Sequence, residues 1–292
     1  MTAFAPKTAS GAGRTDRFYL LMIVLPCAFL ALLYFLPVLN VLVLSVTEPQ
    51  PGIQNYQMLA ESGALHRILL NTLRVSLSTT ALTLLLGYMF SLGINSMAPR
   101  TRTVALFVVL ASFWISALIR AYAWVAILQP NGLINQLLMG IGLIDTPLIL
   151  VRNELGVIIG MVHYMLPYAI LPIYANMAGI DRSLLRASRA LGANRWRTFW
   201  WVFFPQSLPG LAGSGILVMI FSLGFYITPA ILGGGRVVMI AEYISIQISE
   251  TLRWGVATML ATVLVMVVVA LTIWMSRYLK VGGGLASKGG KS

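Results

Sequence analysis

The sequence predicts an all-α polytopic membrane protein: six transmembrane helices in a single domain, N-in and C-in. Three observations carry this. Hydrophobic residues make up 59% of the 292 and charged residues 10%, with a mean hydropathy of +0.87, whereas a soluble domain is about 45–50% apolar and about 25% charged. Six segments are apolar over the ~20 residues that a helix needs to cross a ~30 Å hydrocarbon core. The basic residues, 20 against 8 acidic ones, gather on one side of those six segments, as cytoplasmic loops do.

The elements follow in order. Residues 1–17 form a cytoplasmic tail carrying Lys7, Arg14 and Arg17. The uncharged run that begins at Phe18 is too long for the roughly 7–15-residue apolar core of a secretory signal, so 18–46 is read as a retained first span. The further spans are 75–97, 103–128, 155–177, 208–232 and 254–276. None holds a carboxylate, and only the third holds a formal charge, Arg120. Together they make one domain over 18–280, followed by a Gly- and Lys-rich tail, 281–292, expected to be disordered. Six crossings put both termini on one side. The N-terminal tail, the 98–102 turn, the 178–207 loop and the stretch after residue 276 hold 14 of the 20 basic residues. The excess of positive charge thus reads as topology and not as a nucleic-acid footprint.

Several function classes fall away. A single cysteine, Cys27, forms no disulfide within the chain. One cysteine and two separated histidines, His66 and His163, assemble no zinc or iron–sulfur site. The closing Gly290-Lys291-Ser292 mimics the end of a phosphate-binding loop, but Leu285 stands where that loop needs glycine, and no helix follows to cradle a phosphate. Ion-coupled carriers usually keep an acid or histidine in the membrane; here only His163 remains, read first as a polar group satisfied by a neighbouring helix. The driving force is therefore expected from a partner. Arg120 has two readings: an arginine that snorkels to the outer interface, or a gate held by the aromatic residues around it. If the third span is a straight helix, Arg120 sits about 26 Å along it, which favours the interface.

The 178–207 loop carries the most information. Leu184, Leu185, Ala187, Ala190 and Leu191 recur at helical spacing, with Arg182, Arg186 and Arg189 on another face. Asp181 or Ser183 caps this helix and Gly192 ends it. Such a helix either lies on the bilayer or fills a groove on a soluble partner.

Ala187, Leu191, Gly192, Ala193, Phe199 and Pro205 resemble the "EAA" loop of bacterial ABC importer permeases: Glu-Ala-Ala, three residues, Gly, nine residues, then hydrophobic-x-hydrophobic-Pro. Arg186 stands where the family carries its acid, and Ser188 where it carries the second alanine. Phe113-Trp114-Ile115-Ser116-Ala117-Leu118-Ile119-Arg120-Ala121-Tyr122, Gly132-Leu133-Ile134-Asn135, Ile144-Asp145-Thr146-Pro147, Tyr226-Ile227-Thr228-Pro229 and Leu232-Gly233-Gly234-Gly235 are similar to the PotB-type branch, which serves spermidine and putrescine import. The resemblance spans about 18–280. It implies the type I importer (MetI-like) permease fold, in the bacterial inner membrane, with no catalysis by this chain. It implies a second, PotC-like permease, a substrate-binding protein, and two ATPase subunits that bind the ATP and magnesium. Leu184, Leu185, Arg186, Ala187, Ser188, Arg189, Leu191, Gly192, Ala193, Phe199 and Pro205 would then dock on the ATPase. Candidate pathway or gate residues are Trp114, Arg120, Tyr122, Trp124, His163, Phe225, Tyr226 and Pro229. The alternative from another class is an ATPase-independent channel or secondary carrier, which would transport without partners.

Overall fold

A computed structural model describes residues 12–286. The tail residues 1–11 and 287–292, with Gly290-Lys291-Ser292 among them, lie outside the described residues. The described chain is helical, in the order α1 (Ala12–Thr47), α2 (Gln54–Glu61), α3 (Gly63–Ser96), α4 (Pro99–Ala111), a 3-10 turn (Ser112–Trp114), α5 (Ala117–Leu128) and α6 (Leu133–Gly140). It continues with α7 (Glu154–Ala178), α8 (Arg182–Ala190), α9 (Arg195–Thr198), a wide π turn (Phe199–Phe203), α10 (Phe204–Leu223), α11 (Ile227–Leu232), α12 (Ile240–Ser249) and α13 (Trp254–Ala286).

Among the described residues, five stretches are long and apolar enough to cross a membrane: Met22–Thr47, Gly63–Ser96, Glu154–Ala178, Arg195–Leu223 and Trp254–Met275. The pair Pro99–Trp114 and Ala117–Gly140 passes the same test only when taken together, and it is bent by 99°. The expected six are met as five continuous spans, or six with the bent pair counted as one, and three of them need correction: the second begins at Gly63 and not at 75. The third is not the continuous helix of 103–128. It breaks at Ser112–Ser116, where no proline or glycine stands, and the Arg120 guanidinium takes the freed Ile115 carbonyl at 2.9 Å. A straight helix would leave that charge to lipid, whereas the bend turns it into protein. The fifth span ends at Leu223 and not at 232, since Gly224 closes α10 and Pro229 lacks the N–H that a continuing helix would need. The last helix also runs on to Ala286, past the expected limit at residue 280.

The core is the seam of α3, α7 and α10, and it is built from small residues. In lipid, helices gain nothing by hiding apolar surface from water, so close packing and hydrogen bonds between helices hold them together. Thr79, Thr83, Gly87 and Ser91 of α3 are buried. The Ser91 hydroxyl donates to the Ile170 carbonyl (3.1 Å), the Ser214 hydroxyl to the Ala169 carbonyl (3.3 Å), and Tyr88 and Ser207 share a 2.8 Å bond. Met165, Ala169, Ile173, Met177, Phe203 and Val218 fill the space between. Arg74 of α3 pairs with Glu154 at the start of α7. By contrast, α1 buries nothing along its apolar window and lies against α13. Its last turn is tied down by Asn55, whose amide donates to the carbonyls of Ser45 (3.1 Å) and Glu48 (2.8 Å).

Candidate functional site

The loop between α7 and α10 is built as a rigid hook. Asp181 caps α8: its carboxylate accepts from the Ser183 amide at 2.8 Å and from the Ser183 hydroxyl at 2.6 Å. Those two bonds hold its pKa below the ordinary aspartate value, with the Arg186 charge helping. A carboxyl with a lowered folded-state pKa stabilises the fold above its unfolded value, and the contribution is lost as pH falls through the lowered one. Asp181→Ala is therefore expected to speed amide exchange in the first turn of α8 at neutral pH. Asp181→Asn, which keeps a cap acceptor but loses the charge, is expected to fall between, and its difference from the native protein disappears as pH falls through the lowered pKa.

At the other end, Gly192 adopts φ +86°. Its N–H donates to the Arg189 carbonyl (3.0 Å) and the Ala193 N–H to the Ser188 carbonyl (3.1 Å). This is the Schellman closure, which places a left-handed residue just past the helix. Both ends of the predicted helix are thus where the sequence put them. Asn194 then caps α9 through the Arg197 amide (2.8 Å), and the Ser188 and Thr198 hydroxyls bond across the hook at 3.1 Å. Ser188, read as a departure from the family pattern, is what ties α8 to α9. Leu185 and Phe199 pack onto the α7–α10 cluster, and Phe199 stacks on Phe203. Arg186, Ala187, Arg189 and Leu184 are exposed, and Leu191 is 89% exposed. Pro205 sits in the first turn of α10, where its missing N–H costs nothing.

The predicted pathway residues do not all meet. Arg120 is only 8% exposed and lies over the Tyr164 ring, 4.3 Å from its centroid. This removes the snorkelling reading. Trp124 donates from Nε1 to Nδ1 of His163 at 3.2 Å, and the rings are 5.6 Å apart. His163 is thus an acceptor satisfied by a neighbouring helix, as the simpler reading had it. Phe225 packs on Tyr164 with centroids 4.5 Å apart. Pro229 is buried in α11, beside the Thr228 that leans on Gly160. Trp114, Tyr122 and Tyr226 stand apart. Trp114 is exposed against Phe107. Tyr226 is exposed. Tyr122 lines a separate cavity of 580 Å³ with Gln129 and Arg152. Sequence reasoning missed Tyr164, Tyr168 and Phe221. The available signal was the i, i+4 spacing of Tyr164 with Tyr168, which puts that pair on one helix face; Phe225 lies past the end of α10, so its spacing from Phe221 carried no such signal.

Residues 83–280 match the family described as "Binding-protein-dependent transport system inner membrane component". The chain belongs to this family. As a member of it, the chain is an inner-membrane transport subunit and not an enzyme. It is 30% identical over 270 residues to the spermidine/putrescine transport system permease protein PotB of Salmonella typhimurium (strain SL1344), covering 89% of this chain and 94% of that one. The PotB of Escherichia coli (strain K12) is 30% identical over 263 residues, at 87% and 95% coverage. Among solved structures, a bacterial ABC transporter involved in the import of the acidic polysaccharide alginate superposes with a TM-score of 0.75 at 19% identity, covering 91% of this chain and 96% of that one. This family member therefore has the fold of an ABC importer permease.

Proposed function

We propose that this permease forms one half of the path by which an ATP-driven importer takes up a polyamine or a related small amine. The observation that carries the reading is the 30% identity to PotB over nearly the full length of both chains. The amine is handed over by a binding protein on the outer side. A second, PotC-like permease supplies the other half of the path within the bilayer, and two ATPase subunits hold the ATP and magnesium. The orientation is N-in and C-in, which puts the 178–207 loop and its five arginines on the ATPase side. There α8 offers Leu184, Leu191, Ala187 and the Arg186 and Arg189 side chains to a groove on the ATPase, anchored from behind by Leu185, Ser188 and Phe199. Arg186 in place of the family's acid calls for an acidic or carbonyl-rich surface on that partner. Gly192 and Ala193 set the exit of the helix, and Pro205 sets its return to the membrane. Arg120, Trp124, His163 and Phe225 stand along the path, and Pro229 keeps α10 and α11 as separate segments.

The test is uptake of labelled putrescine and spermidine into proteoliposomes holding the transporter assembled with its binding protein and ATPases. ATP-dependent accumulation is expected. If another solute accumulates and neither amine does, the substrate class is wrong. If accumulation proceeds without the ATPase subunits, the chain works as a channel or secondary carrier.

A further inference from the structure

A path for a protonated amine poses a difficulty that the sequence makes plain, because none of the expected spans holds a carboxylate. The break between α10 and α11 offers another way to receive a cation. A cavity of 260 Å³ lies there, lined by Tyr164, Tyr168, Phe221, Phe225, Ile220 and Gly224 together with Met165. Four of the seven lining residues are aromatic. Tyr164 stacks near Tyr168 at 6.1 Å, and Phe221 meets Tyr168 at 4.9 Å with a 74° tilt. Ring faces carry negative quadrupole density and attract ammonium groups.

The same cavity touches the C-terminal end of a helix. The N–H groups of Gly224 and Phe225 both turn to the Ser222 carbonyl. In a continuing helix they would instead serve Ile220 and Phe221. Those two carbonyls, on residues of the cavity wall, therefore lose their helical donors at the negative end of the 20-residue α10 dipole. Half-helix C-termini of this kind hold cations inside membrane transporters. A third observation concerns the same rings. The Arg120 guanidinium already rests on the Tyr164 ring, and its Nε finds no acceptor among the described residues. One fixed cation thus already rests on a ring of this system, tethered by its bond to the Ile115 carbonyl.

We infer that the Tyr164, Tyr168, Phe221 and Phe225 rings, with the freed carbonyls at the end of α10, form a transient binding station for a primary ammonium group in transit. The inference rests on the amine reading above and adds the place and chemistry of the contact. The cavity is below the ~300–1,000 Å³ of sites that engulf a whole ligand, so it takes one charged end of the solute at a time. The tethered Arg120 charge on the same ring keeps occupancy short, which suits passage and not storage.

The test keeps side-chain shape and changes only ring charge. Phe225 is replaced in the assembled transporter by phenylalanine carrying one, two or three ring fluorines, and initial rates of labelled putrescine uptake are measured. Each fluorine drains the ring face, so uptake is expected to fall in steps to roughly a tenth at the trifluoro ring. The same series at Phe29, exposed on α1 and outside the cavity wall, is expected to be flat. If the native transporter takes up putrescine and the series at 225 is also flat, the station is overturned while the amine reading stands. If the native transporter takes up no amine, the amine reading has failed, and the station falls with it.

Discussion

Replacing Gly192 by valine is expected to cut ATP-driven uptake at least tenfold while the protein still inserts and accumulates in the membrane. The glycine stands at φ +86°, and a Cβ built there meets nothing within 4 Å. The penalty therefore comes from the left-handed backbone and not from crowding, roughly 1–2 kcal/mol for an L-residue and more for a β-branched one. Relieving it means swinging φ to negative values. That breaks the two bonds that close α8, from Gly192 to Arg189 and from Ala193 to Ser188. The hook then loses the angle at which Leu191 projects and the register that brings Ser188 to Thr198. Each 1.4 kcal/mol of docking free energy is a factor of ten, so strain of this size is enough. Gly192→Asn, a residue that visits the left-handed region, is expected to keep most of the activity, and Gly192→Ala to fall between. ATPase activity stimulated by the binding protein is measured beside uptake. Native uptake by the valine variant would remove α8 from the coupling path.

The ends of α8 were legible because their causes are local. An aspartate two residues before a bonded amide and a glycine after the last turn act within a few positions of themselves, and Asp181 and Gly192 do so. Most span limits were legible for a similar reason, since lipid requires a long unbroken apolar run. The third span was not. Nothing between Ser112 and Ser116 signals a break, and Arg120, just past the bend, rests on a partner 44 positions away, the Tyr164 ring. Placing Arg120 by counting along a straight helix failed on that hidden contact. The fifth span is a different case. Hydropathy runs on past Gly224, and Pro229 was in view, but an apolar average does not register the N–H that proline lacks. The aromatic wall needed α7 to meet the end of α10, with Phe225 placed by the break at Gly224, before its rings faced one cavity. Ser188 was read against a pattern and not against its neighbour, so its bond to Thr198 stayed unseen until α8 and α9 were folded together.

Gly87→Leu is expected to destabilise the helical bundle by roughly 3 kcal/mol, whereas Gly93→Leu, six positions along the same helix, is expected to change little. A Cβ on Gly87 would lie 2.8 Å from the Ala169 Cβ, with the Ala169 and Ile170 backbone behind it at 3.7 Å. These are not the ends of flexible side chains, so α3 and α7 must separate. Overpacking of a tight seam costs about 1–3 kcal/mol by itself. The seam is also pinned on both sides of the contact. Ser91 bonds to Ile170 and Ser214 of α10 bonds to Ala169, so moving α7 away from α3 strains bonds worth about 1 kcal/mol each. At Gly93 a Cβ meets nothing within 4 Å and the position is exposed. The measurement is thermal unfolding of the purified chains in one detergent, followed by tryptophan fluorescence. A Gly87→Leu melting temperature equal to the native one would show that this seam does not set the stability of the fold. The expected loss also reaches function. The stretch Arg195–Leu223 runs from the hook straight into α10 and Leu185 packs on the same seam, so uptake by the Gly87→Leu transporter is expected to fall along with its stability.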